Sequence, residues 1–115
     1  MNETPKFVTD ESTPQVKMPF GAYRRTMGTT EHIMLLEVYV PRETVVPEHS
    51  HVHEQVGYVV SGRIEFTIGG EMKVMDPGDS YAVASNVLHS ARAVYDTVLV
   101  EVFSPPREDF RPSGS

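Results

Sequence analysis

Turn-forming residues divide most of this chain into short segments that are rich in β-branched and apolar side chains. Gly69-Gly70 suits a two-residue hairpin turn, in which both central residues need positive φ, and Pro77-Gly78 suits a type II turn. The strands predicted between such turns are Ile33 to Val40, Gln55 to Val60, Arg63 to Ile68, Glu71 to Met75, Tyr81 to Ala84, Leu88 to Val94 and Thr97 to Phe103. Many short strands at close spacing, without a convincing helix, indicate an all-β fold, an antiparallel sandwich or barrel.

The first part of the chain has a different character. Residues 1–18 carry Pro5 and Pro14 among charged and hydroxyl residues, which predicts a flexible N-terminal arm, with a short edge strand around Val16 as an option. A chain of 115 residues fits one domain with one core. We therefore expect a single barrel at residues 19–110, followed by a disordered tail at 111–115.

The composition excludes several classes of function. With 10 Lys and Arg against 16 Asp and Glu, the net charge is -6, and no basic stripe suggests a nucleic-acid partner. The absence of cysteine excludes disulfides, thiolate metal ligands and a cysteine nucleophile. No apolar run approaches the roughly 18 residues of a membrane span, and the polar N-terminus does not resemble a signal peptide. We therefore expect a cytoplasmic protein without a membrane or nucleic-acid partner.

Three histidines and a glutamine fall at alternate positions in one stretch, namely His49, His51, His53 and Gln55. Alternate side chains of an extended strand share a face, so these four would point the same way if the stretch were one strand. His89 is a further candidate downstream. Imidazole binds transition metals, while an amide oxygen is a weaker, neutral donor. The pattern predicts a site for one divalent transition metal, with Zn, Ni, Fe, Mn and Cu left open; the alternative is a set of surface histidines in a polar loop.

One carboxylate lies alone in a hydrophobic strand. Both faces of Thr97 to Phe103 are largely apolar, yet Glu101 is among these residues. Burying a carboxylate without a partner costs on the order of several kcal/mol and raises its pKa, so an inward-facing Glu101 needs a reason. The alternative is an outward-pointing charge near the end of the strand.

Two motifs resemble those of the cupin superfamily. The first is His49-x-His51-x3-Gln55-x6-Gly62, in which Gln55 takes the place of the usual ligating Glu. The second is Pro77-Gly78-Asp79 followed by His89, although Ala84 and Asn86 replace its usual proline and glycine. The resemblance covers roughly residues 30 to 104 and implies a small double-stranded β-helix barrel, or jelly roll. It also implies that the metal ligands are His49, His51, Gln55 and His89, whereas His53 would lie behind the ligands, act as a further ligand or lie on the surface.

A narrower similarity is to the pectin-degradation cupins of the KdgF type. It rests on His51-x-His53-Glu54-Gln55, the strand at 63–70 and the tail at 101–110. In that group the tail supplies an acid, an aromatic and an arginine to the pocket, at the places of Glu101, Phe103 and Arg107, although the acid is usually Asp. This resemblance implies metal-dependent ring opening and ketonisation of 4,5-unsaturated uronate monosaccharides to linear keto-uronates.

The resemblance also implies roles for individual side chains. Glu101 would relay a proton, and Arg107 would clamp the carboxylate of an anionic sugar substrate and assist catalysis, unless it is a surface residue after Pro105-Pro106. Phe103 would form a wall of the sugar site, and Tyr39 is a further substrate-binding candidate. Tyr23, Arg25 and Tyr81 are further candidates for this pocket, and strand parity in the sequence does not decide whether they reach it.

Other functions remain open at this level, because one scaffold serves many chemistries. The chain could be an iron-dependent cupin dioxygenase, another small-molecule metal lyase, a non-catalytic sugar-binding or ligand-binding cupin, or a barrel that a metal only stabilises. The tail from Glu101 to Arg107 favours an enzyme. A small open barrel exposes sheet edges that a proline-punctuated arm of a second copy could cover, so a homodimer is expected.

Overall fold

The computed structural model describes residues 6–111, and the predicted tail at 111–115 lies outside them apart from its first residue. This part of the chain forms ten strands and a short 3-10 helix at Glu108–Phe110. The strands are β1 (Val16–Lys17), β2 (Tyr23–Thr29), β3 (Met34–Val40), β4 (Val45–His49), β5 (Glu54–Ser61), β6 (Ile64–Ile68), β7 (Glu71–Met75), β8 (Ser80–Val83), β9 (His89–Ala93) and β10 (Thr97–Ser104). Within residues 6–111, no helix is long and apolar enough to cross a membrane.

The strands form two antiparallel sheets, which confirms the all-β jelly-roll prediction. One sheet has six strands in the order β1-β2-β3-β10-β5-β8, and the other has four in the order β4-β9-β6-β7. β10 lies inside the larger sheet, paired along its length with β3 on one side and β5 on the other. Residues of β10 therefore lie between two full ladders.

Alternating burial shows which faces form the core. In β3 and β10 every second residue is buried, beginning at Met34 and at Thr97. In β6, Ile64 and Phe66 are buried, while Glu65 and Thr67 are partly exposed. This alternation is expected for a strand with one face towards the solvent. The inward residues of both sheets form one apolar cluster, and it includes Phe103.

The predicted turns are present. Gly69 and Gly70 join β6 to β7 with φ values of 57° and 85°, as a two-residue hairpin turn with positive φ at both positions requires. Gly78 has a φ of 96°, which suits the third position of a type II turn after Pro77. These residues set the ends of β6, β7 and β8.

The histidine stretch is not one strand, so the expectation of a single extended face is wrong. β4 ends at His49 in the four-stranded sheet, and β5 begins at Glu54 in the six-stranded sheet. His51 and His53 lie in the connection between the two sheets. A chain that passes from one sheet to the other has to leave both ladders, and regular alternation is lost there.

The described residues before β2 contact the larger sheet or belong to it. β1 pairs with β2 at the sheet edge, at the place where the sequence suggested a short strand around Val16. Arg25 of β2 forms an ion pair with Asp10 and another with Glu37, which connects residues before β1 to the barrel. The division of the chain into arm, barrel and tail stays a prediction.

Candidate active site

A cavity of about 260 Å³ lies between the inner faces of the two sheets. Most of its wall is apolar. The lining residues include the four predicted metal ligands and three predicted tail residues, namely His49, His51, Gln55, His89, Glu101, Phe103 and Arg107. The fold thus brings seven predicted site residues to one cavity.

Three of the histidines form a compact group. His49, at the end of β4, is paired with His89, at the start of β9, and their ring centroids are 4.2 Å apart. His51 reaches the same point from the connection after β4, with its ring 4.9 Å from that of His89. One nitrogen from each of the three residues lies within 4.8 Å of the others. Such a group could hold a metal ion.

A hydrogen bond from Nδ1 to a backbone carbonyl oxygen orients each of the three histidine rings. The Nδ1 atoms of His49, His51 and His89 lie 2.8, 3.0 and 2.9 Å from the carbonyl oxygens of Pro47, His53 and Val87. A carbonyl only accepts, so each Nδ1 is the donor and each neutral ring keeps its lone pair on Nε2. Burial lowers the pKa of His51 and His89 from the ordinary value, which favours neutral, ligating imidazoles.

The unpaired atoms of the site fit a bound cation. Nε2 of His89 is buried and has no hydrogen-bond partner in the described part of the chain. Nε2 of His51 lies 3.1 Å from Oε1 of Gln55. If Nδ1 of His51 carries the ring proton, Nε2 of His51 and Oε1 of Gln55 are both acceptors and cannot hydrogen-bond to each other. A cation bound by both atoms would account for their close approach. The three imidazoles and the amide oxygen therefore suit a transition metal.

Gln55 connects this group to the buried carboxylate. Both side chains are inward and more than nine-tenths buried, so Glu101 does not point outward. Nε2 of Gln55 donates to Oε2 of Glu101 at 2.6 Å, which directs the amide oxygen of Gln55 towards His51. Burial raises the pKa of the Glu101 carboxyl, and the hydrogen bonds from Tyr81 and Gln55 oppose that rise.

Arg107 also lines the cavity. Its Nε and Nη2 groups donate to the two carboxylate oxygens of Asp109, at 3.1 and 2.9 Å. Its guanidinium carbon lies 5.6 Å from the ring centroid of Phe103 and 4.2 Å from that of Phe110. The side chain is only 18% exposed, so Arg107 is not a free surface residue. Two aromatic rings and a carboxylate hold it at the cavity.

Comparison with known proteins gives the family. A family model described as a cupin domain matches residues 35–104. The chain belongs to the cupin family. Over 107 residues it is 29% identical to the pectin degradation protein KdgF of Dickeya dadantii, with 91% of this chain and 97% of that protein covered.

Two solved structures resemble this cupin over nearly its whole length. An RmlC-like cupin from Shewanella frigidimarina is 32% identical with a TM-score of 0.91, and the match covers 96% of this chain and 100% of that one. KdgF from Halomonas sp. is 30% identical with a TM-score of 0.87, with 94% and 100% covered. Both the fold and the resemblance stated from the sequence are confirmed.

Two predicted site residues lie outside the cavity wall of the cupin. Tyr39 occupies the face of β3 opposite to Val38 and Val40, and its ring stacks on Tyr23 at 6.1 Å. This placement corrects the substrate-binding role expected for Tyr39, because strand parity points it away from the core. His53 is not part of the three-histidine group. It supports the site through its carbonyl, which accepts from His51.

Several cavity residues were not assigned to the site from the sequence, among them Met18, Phe20 and Phe110. Met18 and Phe20 follow β1 and line the cavity, although the arm was expected to be loose to residue 18. Phe110 also lines it, anchored by the Thr26 hydroxyl, which donates to the Phe110 carbonyl oxygen at 2.6 Å. Phe110 was available as an isolated aromatic after a polar run, but this local signal does not reveal a long-range contact.

Proposed function

We propose that this cupin is a metal-dependent enzyme that opens and ketonises 4,5-unsaturated uronate monosaccharides to linear keto-uronates. The observation that carries the proposal is the position of Glu101, a buried carboxylate bonded to Gln55 in a cavity shared with the three histidines and Arg107. The similarity to two KdgF proteins over almost the full chain supports it. The substrate, the reaction and the residue roles below are all part of this proposal.

The donor set suits polarising chemistry. Three imidazoles and one amide would hold the metal without a ligating carboxylate, so its positive charge would stay uncompensated by the ligands. A divalent transition metal bound there would supply Lewis acidity towards the oxygens of an anionic substrate. Zn, Ni, Fe, Mn and Cu remain candidates, since imidazole accepts all of them.

The reaction is an isomerisation, so its atoms balance without a co-reactant. The hemiacetal C1–O5 bond breaks as the O1 hydroxyl loses its proton and O5 gains one, which leaves an aldehyde at C1 and an enol at C5. The enol then loses the O5 proton while C4 gains one, and C5 becomes a ketone. A single carboxyl group that accepts and then donates a proton can serve both stages.

Glu101 is the group placed for that proton transfer. Its Oε2 atom accepts from Gln55 and from Tyr81, whereas Oε1 has no hydrogen-bond partner among residues 6–111. Because Glu101 lines the cavity, Oε1 is the oxygen available to a substrate. Burial raises the pKa of this carboxyl, which favours its proton-donating form relative to that of an exposed glutamate.

Arg107 and Phe103 would bind and orient the sugar acid. Asp109 occupies Nε and Nη2 of Arg107, and Nη1 has no acceptor in the described part of the chain. The guanidinium would pair with the substrate carboxylate through its free donors. Phe103 and Phe110 present apolar walls beside it, and these exclude water from the reacting atoms.

Metal analysis combined with a turnover assay tests the proposal. Purified protein should contain about one transition-metal equivalent and should remove the ultraviolet absorbance of unsaturated uronates when polysaccharide-lyase products are supplied. Full metal occupancy without turnover would contradict the proposal. Uronate binding without conversion would then indicate a sensing module, while oxygen consumption with another small acid would indicate a dioxygenase.

A further inference from the structure

Glu101, Gly57 and Tyr81 form a row across three neighbouring strands. In the register of the larger sheet, Glu101 of β10 is opposite Gly57 of β5, and Gly57 is opposite Tyr81 of β8. Residues directly opposite one another project from the same face of a sheet, and adjacent strands lie roughly 4.8 Å apart. Tyr81 is thus two strands away from Glu101, on the same inward face.

Gly57 makes room for the tyrosine ring. A Cβ atom at position 57 would lie 2.2 Å from Cζ and 2.3 Å from the hydroxyl oxygen of Tyr81. Real Cβ atoms do not approach other heavy atoms so closely, so a side chain at 57 would displace the ring. Glycine inside a strand often marks such a close approach, and here it lets the phenol cross β5 towards β10.

The hydroxyl group of Tyr81 contacts Glu101, the proposed proton carrier. The Tyr81 hydroxyl donates to Oε2 of Glu101, and Nε2 of Gln55 donates to the same oxygen at 2.6 Å. Both donors are buried, so no solvent competes for these bonds. Tyr81 itself does not line the cavity. It therefore contacts the Glu101 carboxylate from outside the cavity wall.

We propose that Tyr81, seated over Gly57, is a positioning residue that fixes the Glu101 carboxylate with Oε1 facing the substrate. A glutamate side chain has three rotatable bonds, and an unanchored carboxylate would lose its alignment. Misplacing a reacting group by about 1 Å can cost about 100-fold in rate. The catalytic part of this inference rests on the proposed function, whereas the contact among the three residues does not.

Tyr81→Phe tests the positioning role, because it removes the hydroxyl and keeps the ring. In the uronate assay we expect kcat to fall about 10- to 100-fold, with KM within about threefold of its original value and metal content unchanged. The matched control is Tyr95→Phe, the same chemical change at an exposed tyrosine outside the cavity wall, and it should leave both constants unaltered. Unchanged kcat in Tyr81→Phe would overturn the inference.

Gly57→Ala provides a second route to the same defect while retaining the hydroxyl. The added methyl group would push the ring away from Glu101, and kcat should fall as in Tyr81→Phe. A folded Gly57→Ala variant with full activity would contradict the geometry. If this variant does not fold, the Tyr81→Phe result decides alone.

An unfolding experiment tests the contact independently of turnover. Tyr81→Phe should lower Tm by about 5 °C in the original background but hardly at all in a Glu101→Met background, where the acceptor is absent. Equal losses in both backgrounds would show that Tyr81 is not coupled to Glu101. If Tyr81 and Glu101 are coupled but the protein does not convert uronates, the proposed function fails while the contact between these two residues stands.

Discussion

Glu101 shows how one charged residue is accommodated in an apolar strand. The side chains on either side of it along the inward face of β10 are Leu99 and Phe103, both buried. An unpaired carboxylate there would destabilise the folded state by on the order of several kcal/mol. Two buried donors, from Gln55 and Tyr81, offset part of this cost through charge-assisted hydrogen bonds. Such an arrangement is expected where the carboxylate has a chemical task.

Glu101→Gln should separate chemistry from folding. The amide keeps the size of the side chain and an acceptor oxygen but cannot take up or deliver a proton. We expect unchanged metal content and Tm, and a loss of kcat of about 100- to 10,000-fold in the uronate assay. Near-normal kinetics in this variant would remove Glu101 from the mechanism.

Arg107→Lys should impair binding more than chemistry. Lysine keeps the positive charge but cannot form the two-point contact with Asp109 and still present further planar donors to a carboxylate. Loss of a hydrogen bond to a charged group predicts a rise in KM of about 10- to 100-fold. Arg63→Lys is the control, since Arg63 forms its ion pair with Asp76 outside the cavity wall. A larger effect on kcat than on KM would contradict a clamping role.

At the level of elements, glycine positions determine where strands end. Gly62 joins β5 to β6 with a φ of 92°, and a Cβ there would lie 2.2 Å from the carbonyl oxygen of Asp96. Both the backbone conformation and the contact oppose a side chain. This explains physically why the chain carries glycine at this point of the first motif.

Gly62→Ala should therefore destabilise the fold. We expect a loss of about 2 kcal/mol or more in the free energy of unfolding, because strained backbone and steric overlap add. Gly28→Ala is the matched control: a Cβ at position 28 meets no atom within 4 Å, and a change within about 0.5 kcal/mol is expected. Urea denaturation of both variants measures the difference, and equal stabilities would refute this explanation.

Much of the fold could be predicted because its signals are local. Strand β7 and the turn at Gly69-Gly70 lie where the sequence placed them, since a short run between turn residues has few alternatives. The residue identities and spacing of the motifs led to His49 and His89, which the structure pairs directly. The inward side of β10 was harder to assign, because apolar residues occupy both of its faces.

The predictions that were wrong or missing concern residues whose position depends on long-range geometry. Nothing local to His51 and His53 shows that the chain changes sheets there, so alternation was extended across the connection. Tyr39 was assigned without knowing which face of β3 is inward. The role of Tyr81 requires the register across three strands, although Gly57 inside an apolar strand was a usable signal.

At the scale of the molecule, the candidate metal ligands belong to both sheets. His49 and His89 are in the four-stranded sheet, and Gln55 is in the six-stranded one. A metal held by all of them would connect the two sheets. Binding to the folded state alone then stabilises the protein by mass action.

Metal removal should lower thermal stability as well as activity. At a free metal concentration near 100 times Kd, the linkage predicts about 2.7 kcal/mol, or a Tm shift on the order of 10 °C. A His49→Ala/His51→Ala variant should bind no metal and lose this response, whereas His32→Ala, at an exposed histidine outside the cavity wall, should retain it. A double variant with a full metal equivalent would contradict the ligand set.

The outer face of the larger sheet is the place to test the expected homodimer. Val56, Tyr58 and Val60 alternate along the outward side of β5 and are each about half exposed, with values of 50%, 50% and 47%. Half-buried Val100 and Val102 of β10 continue this surface. The outward face of an antiparallel sheet is usually polar, and a contiguous apolar patch marks an interface.

A second copy of the chain suits this patch because a two-fold contact would bring each apolar stripe against its equivalent. The original protein should sediment as a dimer. Val56→Lys would place two like charges at that interface, so we expect this variant to sediment as a monomer. Its uronate activity is assayed in parallel. Val74→Lys is the control, since Val74 is an exposed valine of β7 in the other sheet, and it should leave the dimer intact. A monomeric original protein would refute the homodimer, and a dimeric Val56→Lys variant would move the interface elsewhere.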